Sequence, residues 1–88
     1  MDSIAKPHID LAACRLLCFG MLSDLPGIPV GEIPHFPDTD AFTTWLQAQC
    51  PELNSMVYAL ALNREIVQEN RAIPAGAELA LLPPFSGG

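Results

Sequence analysis

The residues best suited to chemistry lie at the end of the chain, in the segment Pro83-Pro84-Phe85-Ser86-Gly87-Gly88. Its two prolines fix φ and remove two backbone donors, so they predict an extended stem that leaves any sheet. The two glycines carry no side chains, and such a tip can enter a channel that admits only backbone. The reactive group at this tip is the α-carboxylate of Gly88. We therefore expect a stiff stem with a flexible tip that presents a carboxylate to another protein.

Residues for a conventional active site or metal site are not brought together by the sequence pattern. His8 and His35 are far apart, and neither lies at metal-ligand spacing from a cysteine. None of the six glycines forms a phosphate-binding loop. The three cysteines, Cys14, Cys18 and Cys50, include no C-x-x-C pair, and we expect reduced thiols that act as small apolar side chains. We therefore expect no metal or cofactor bound by this chain, and no catalysis by the chain alone.

The composition predicts one small acidic domain in the cytoplasm. The chain has 88 residues, and half of them are apolar, which is enough for a single core. Ten acidic residues against four basic ones give a net charge of −6. This charge disfavours nucleic acid and anionic membrane surfaces as partners, because both are bound through lysine and arginine. The sequence shows no signal peptide and no apolar run near the ~18 residues of a membrane span.

Five runs of strand length surround one predicted helix. The first strand has apolar residues at both parities, so both of its faces should be covered. Pro29 and Pro34 favour an edge position for the second strand. Asn63-Arg64 is a polar turn that predicts a hairpin between the third and fourth strands. The predicted strands are residues 14–19, 28–36, 57–62, 65–67 and 78–82.

The helix signal lies between the second and third strands. Asp38 is a good N-cap, Asp40 suits the first turn, and Cys50-Pro51 predicts the end of the helix. One apolar stripe of this helix is formed by Ala41, Phe42, Trp45 and Leu46. One helix packed across one mixed sheet is an α+β fold with two layers.

This order of elements divides the chain into an N-terminal extension (1–13), one folded domain (14–82) and an extended tail (83–88). One helix can cover only one face of the sheet, although the strands are apolar at both parities. We therefore expect an apolar patch on the other face, which is typical of a protein interface.

Residues 14–88 resemble the ubiquitin-like β-grasp sulfur carriers of the MoaD/ThiS type, and more narrowly the family of molybdopterin synthase small subunits. The C-terminal signature Pro-Pro-Phe-Ser-Gly-Gly is the most specific part of the resemblance, because thiamine-pathway carriers generally lack its Pro-Pro lead-in. The other stretches that carry it are residues 15–20, 25–27, 36–38, 59–63 and 75–79. The chain departs from the family pattern in its N-terminal extension and in Asp38, where a threonine cap is common. Both caps accept the same hydrogen bond.

The resemblance implies a function in which the chain carries sulfur for other enzymes. A ubiquitin-activating-type adenylyltransferase would use ATP to convert the Gly88 carboxylate to an acyl-adenylate. A persulfide sulfur donor would then give a Gly88 thiocarboxylate. Inserted into the large subunit of molybdopterin synthase, this tip would donate sulfur to cyclic pyranopterin monophosphate in molybdenum cofactor biosynthesis.

The resemblance also implies which residues contact these partners. Phe19, Ile66 and Leu82 would meet both the activating enzyme and the large subunit, and the tail that enters their pockets comprises Pro83, Pro84, Phe85, Ser86, Gly87 and Gly88. Three alternatives remain. The chain could be a thiamine-type or other carrier with a different acceptor, a ubiquitin-like modifier conjugated to lysines, or a β-grasp binding module without chemistry.

Overall fold

The computed structural model describes residues 11–84, so residues 1–10 and the end of the predicted tail, 85–88, lie outside the described residues. The main elements are β1 (Cys14–Cys18), β2 (Gly31–Ile33), α1 (Thr39–Gln49), β3 (Ala59–Leu62), β4 (Glu65–Val67) and β5 (Glu78–Leu82). Short 3₁₀ helices cover Gly20–Asp24 and Pro51–Ser55.

The five strands form one mixed sheet in the order β2-β1-β5-β3-β4. The central pair, β1 with β5, is parallel, and the three other pairs are antiparallel. With one main helix packed on this sheet, the architecture confirms the predicted α+β class and is that of a ubiquitin-like β-grasp. The predicted order of elements along the chain is also confirmed.

The second strand is much shorter than predicted. Regular pairing is confined to Gly31–Ile33 instead of residues 28–36. Pro29 and Pro34 flank it and cannot donate to a ladder, which explains where the pairing stops. The predicted edge position is correct, because β2 pairs only with β1 among the described strands.

The helix begins at the predicted cap. The backbone N–H of Ala41 donates to Oδ1 of Asp38 at 2.9 Å. At the other end, the N–H of Cys50 donates to the carbonyl of Leu46 at 2.9 Å, and Pro51 starts the next short helix.

The helix buries its apolar stripe against the sheet. Phe42 and Leu46 are fully buried. Trp45 is only half-buried, and its ring lies 5.0 Å from that of Phe36, between centroids, at the edge of the core. On the sheet side, this core receives Leu16, Leu79 and Leu81, which are also fully buried.

The turn between β3 and β4 is strained. Asn63 has φ of 48° and Arg64 has φ of 72°, which is the pattern of a type I′ turn. The Asn63 side chain accepts from the N–H of Glu78 at 2.9 Å, and its own N–H donates to the Glu78 carbonyl at 2.8 Å. Arginine has no such local compensation, so its left-handed conformation costs about 1 kcal/mol relative to glycine.

Substitution of Leu46 by alanine tests the helix packing. Because Leu46 is fully buried between α1 and the sheet, Leu46→Ala should lower the free energy of unfolding by ~2–5 kcal/mol. The measurement is urea unfolding followed by circular dichroism. The matched control is Thr44→Ala on the exposed face of the same helix, which should change stability by less than ~0.5 kcal/mol. Equal stability of the two variants would contradict this packing.

Candidate functional site

The sheet face away from α1, called the open face below, carries an apolar row across four strands. Leu17 on β1 lies opposite Ala80 on β5, Ala80 lies opposite Ala61 on β3, and Ala61 lies opposite Ile66 on β4. The two alanines are buried, whereas Ile66 is 46% exposed. Small side chains flanked by larger ones make this row a shallow apolar depression.

A second apolar row lies next to the first, at the end of the sheet where β5 finishes. The N–H of Phe19 continues the β1–β5 ladder by donating to the Leu81 carbonyl at 3.1 Å. This pairing brings Phe19 alongside Leu82, and Leu82 lies opposite Ala59 on β3. Phe19 is 46% exposed and Leu82 is half-buried.

The three residues predicted to contact partners therefore share the open face. Phe19 and Leu82 are neighbours, as expected from adjacent strands. Ile66 lies further from Phe19 and Leu82 than expected, because β3 lies between β4 and β5. The sequence could not give this separation, since it depends on which strands pair.

The start of the predicted tail is seated beside Phe19. Gly20 has φ of +60°, and a Cβ atom at this position would lie 3.3 Å from Cγ of Pro83. The backbone at Gly20 thus approaches the first proline closely, and Pro83 is half-buried while Pro84 is exposed. This contact was not predicted, although a glycine directly after the first strand was a signal for it. The rest of the tail, Phe85, Ser86, Gly87 and Gly88, lies outside the described residues.

A charged row borders the open face at the end remote from Pro83. Arg15 lies opposite Glu32 on one side and Glu78 on the other. Glu78 also forms an ion pair with Arg64, with 3.7 Å between Oε2 and Nε. This row was not predicted either. Its signal in the sequence was side-chain alternation, which places Arg15 and Glu78 on the same face of their strands as the open-face apolar residues.

Comparison with known proteins identifies the family of this domain. The model of the ThiS family matches residues 20–88, which include every described element except β1. The chain belongs to the ThiS family. Membership in this family of ubiquitin-like sulfur carriers supports a sulfur-carrier role for the chain. The match does not distinguish molybdopterin-type from thiamine-type carriers. Searches of curated proteins and of solved structures gave no match.

The three cysteines lie on the helix side of the sheet and not on the open face. None of the three forms a disulfide; Cys14 and Cys50 are buried and Cys18 is half-buried. Burial raises the pKa of Cys18 from 9.0 to about 11, and the neighbouring Cys50 adds to the shift. Such a thiol remains protonated at neutral pH, so it is a poor nucleophile.

Neither a metal-binding cluster nor a membrane-spanning helix is found among the described residues. Residues 11–84 contain no group of three or more His, Cys, Asp or Glu side chains that could hold a metal ion. His35 is one of the two histidines, and its Nε2 is 2.7 Å from the Ile73 carbonyl, to which it donates. No helix within this range is long and apolar enough to cross a membrane.

The raised pKa of Cys18 predicts slow alkylation. At pH 8, a thiol with a pKa of about 11 instead of 9.0 contains about one hundredth of the thiolate, which is the reacting species. Iodoacetamide should therefore modify Cys18 much more slowly in the folded protein than in urea, with a rate that continues to rise above pH 9. Peptide mapping by mass spectrometry measures this site separately. Equal rates in the folded and unfolded protein would show that the thiol is not shielded.

Proposed function

We propose that this chain is the sulfur-carrying small subunit of molybdopterin synthase, and that Gly88 carries the sulfur as a C-terminal thiocarboxylate. The observation that supports this most strongly is the segment Pro83-Pro84-Phe85-Ser86-Gly87-Gly88 at the end of a ThiS-family match that reaches residue 88. The fold adds a rigid base for this segment, because β5 is a central strand that is paired on both sides.

The chemistry needs only the terminal carboxylate from this chain. A carboxylate is a poor electrophile, so the activating enzyme transfers AMP from ATP to the Gly88 carboxylate and releases pyrophosphate. The terminal sulfur of a persulfide then attacks the acyl carbon and displaces AMP. A thiol reduces the resulting acyl disulfide and leaves the thiocarboxylate. Sulfur transfer from this group to cyclic pyranopterin monophosphate takes place in the large subunit, and hydrolysis returns the carboxylate.

The open face supplies the docking surface in this proposal. Phe19 and Ile66 are large apolar side chains, each 46% exposed, on a face that also holds Leu82 and the seated Pro83. Exposed apolar patches of this kind are typical of protein interfaces. A partner bound there lies next to the start of the tail, so docking and insertion of the tip occur together. The activating enzyme and the large subunit would use the same face in turn.

A thiamine-type carrier is the second candidate, and the family match favours it equally. It shares the activation of Gly88 and differs in the enzyme that accepts the sulfur. Reconstitution with purified partners separates the two. The thiocarboxylated chain is combined either with the large synthase subunit and cyclic pyranopterin monophosphate, or with thiazole synthase and its substrates. We expect product only in the first reaction, and product only in the second would establish the thiamine-type function.

Changes to the terminal residue should abolish activation without affecting stability. Deletion of Gly88, or addition of one alanine after it, removes or misplaces the carboxylate that attacks ATP. The assay is ATP–pyrophosphate exchange with the activating enzyme, with intact mass used to verify the terminal residue. The same alanine added before Met1 is the control and should support normal exchange. The melting temperature should stay constant, because Gly88 follows the end of the folded domain. Normal exchange by the deleted form would exclude this mechanism.

Charged substitutions on the open face should weaken partner binding and leave the domain folded. Phe19→Arg and Ile66→Arg each place a charge in the proposed apolar interface, and we expect affinity to fall about tenfold or more for both partners. Leu82 is less suitable for this test because it is half-buried. The measurement is calorimetric titration, with the melting temperature as the check on folding.

The matched control for these variants is Leu11→Arg. Leu11 is 87% exposed and precedes β1, at the end of the sheet remote from Pro83. This control should bind both partners with wild-type affinity. Wild-type affinity of Phe19→Arg and Ile66→Arg would place the docking surface elsewhere.

A further inference from the structure

Arg64 occupies a left-handed position that the turn between β3 and β4 requires but that arginine does not favour. Its φ of 72° lies where glycine is favoured, and its side chain is 86% exposed. Its ion pair with Glu78 spans 3.7 Å at the surface, and exposed pairs of this kind contribute little to stability. Strain that is not offset by packing is a reason to look for a functional role of the residue.

The position of Arg64 suggests what that role is. The residue lies beside Glu78 at the charged end of the open face, whereas Phe19 and Pro83 lie at the opposite end. The face is therefore polarised, with charges at one end, apolar side chains in the middle and the tail at the other end. Apolar contacts are non-directional, so they do not fix how a partner is rotated on the face. A charged contact far from the tail adds an interaction that depends on that rotation.

We propose that Arg64 orients the docked protein partner by binding a carboxylate at the rim of the partner's surface. This inference rests on the proposed function, because the partner is the activating enzyme or the large subunit that binds the open face. Guanidinium suits this role, since its planar fork matches a carboxylate in two hydrogen bonds. Correct rotation directs the tail into the partner's pocket. Arg64 is thus a positioning residue and takes no part in the chemistry.

A second explanation makes a different prediction. Arg64 could serve only to neutralise Glu78 so that the acidic carrier does not repel its partners. In that case, removal of the Glu78 charge should restore the partner affinity that is lost with Arg64. If Arg64 binds the partner directly, removal of the Glu78 charge cannot replace the missing guanidinium.

The experiment compares Arg64→Gly with Arg71→Gln, which removes one positive charge from the segment between β4 and β5. Arg71 pairs with Glu65 at 3.4 Å, and Glu65 lies opposite Leu62, which belongs to the core on the helix side. Both variants have the same net charge, so they differ in the position of the missing charge. Stopped-flow association and calorimetric titration are carried out with the purified activating enzyme and large subunit, in about 50 mM and about 500 mM salt.

We expect opposite effects of Arg64→Gly on stability and on binding. The melting temperature should rise by a few degrees, because glycine relieves the left-handed strain. In low salt, affinity for both partners should fall about threefold or more, mainly through a slower association rate, because both use the open face. The difference from wild type should shrink in high salt. Arg64→Lys should retain part of the affinity, and Arg71→Gln should bind as wild type does.

Four results would overturn the inference. These are wild-type binding by Arg64→Gly in low salt, an equal loss in Arg71→Gln, recovery of affinity when Glu78→Gln is added to Arg64→Gly, and a lower melting temperature of Arg64→Gly. Each of these leaves the proposed function intact if the wild type binds its partners. Failure of the wild type to bind either partner would instead overturn the proposed function and this inference together.

Discussion

The parallel pairing of β1 with β5 is the interaction on which the rest of the structure depends. These strands are the second and third of five, and their register sets Leu16 opposite Leu79 and Leu17 opposite Ala80. The first of these pairs faces the helix and the second belongs to the open face. Because successive side chains alternate, a shift of one residue would exchange the two faces. The same pairing carries Phe19 to the end of β5, so it also determines what lies beside the tail.

One face of the sheet is covered and the other is open because the described part of the chain contains only one main helix. An 11-residue helix spans only ~16 Å, and one such helix covers one side of a five-stranded sheet. Leu16, Leu79 and Leu81 on the covered side are fully buried with Phe42 and Leu46. The other side has no second layer among residues 11–84. Its middle is filled by two alanines, which limits the apolar area left in water, while Phe19 and Ile66 remain exposed.

Local signals in the sequence were sufficient to predict the order of the elements, but not how distant ones meet. Asp38 and Pro51 act on their own neighbours, so the ends of α1 follow from them. Pro29 and Pro34 indicated the edge position of β2, but its length was predicted as residues 28–36 instead of Gly31–Ile33. The buried Thr39 was not foreseen. Its Oγ1 accepts from the N–H of Arg71 at 2.9 Å and ties the helix to a segment 32 residues away.

For the candidate site, the face on which each residue lies was predictable, but the neighbours across strands were not. Residues with the parity of Leu17 and Phe19 could be assigned to one face from alternation alone. The insertion of β3 between β4 and β5 depends on strand pairing, and so does the alignment of Arg15 with Glu32 and Glu78. Each of these contacts joins segments that are distant in sequence, and no local pattern encodes them.

The fold does not need to surround a reacting group, because the proposed reacting group belongs to the backbone. An extended chain advances by at most ~3.5 Å per residue, so the length of residues 83–88 allows the proposed thiocarboxylate to reach at most ~20 Å from the end of β5. Any enzyme that acts on it must hold its reaction centre within that distance of its contact with the carrier. Proline fixes φ, so Pro83 and Pro84 restrict the backbone at the start of the tail, and the close contact of Gly20 with Pro83 fixes where it begins. In the proposed mechanism, a start that points towards the partner's pocket raises the effective concentration of the tip there. In the proposed function, docking on the open face and delivery of the tip therefore depend on the same geometry, which the β1–β5 pairing fixes.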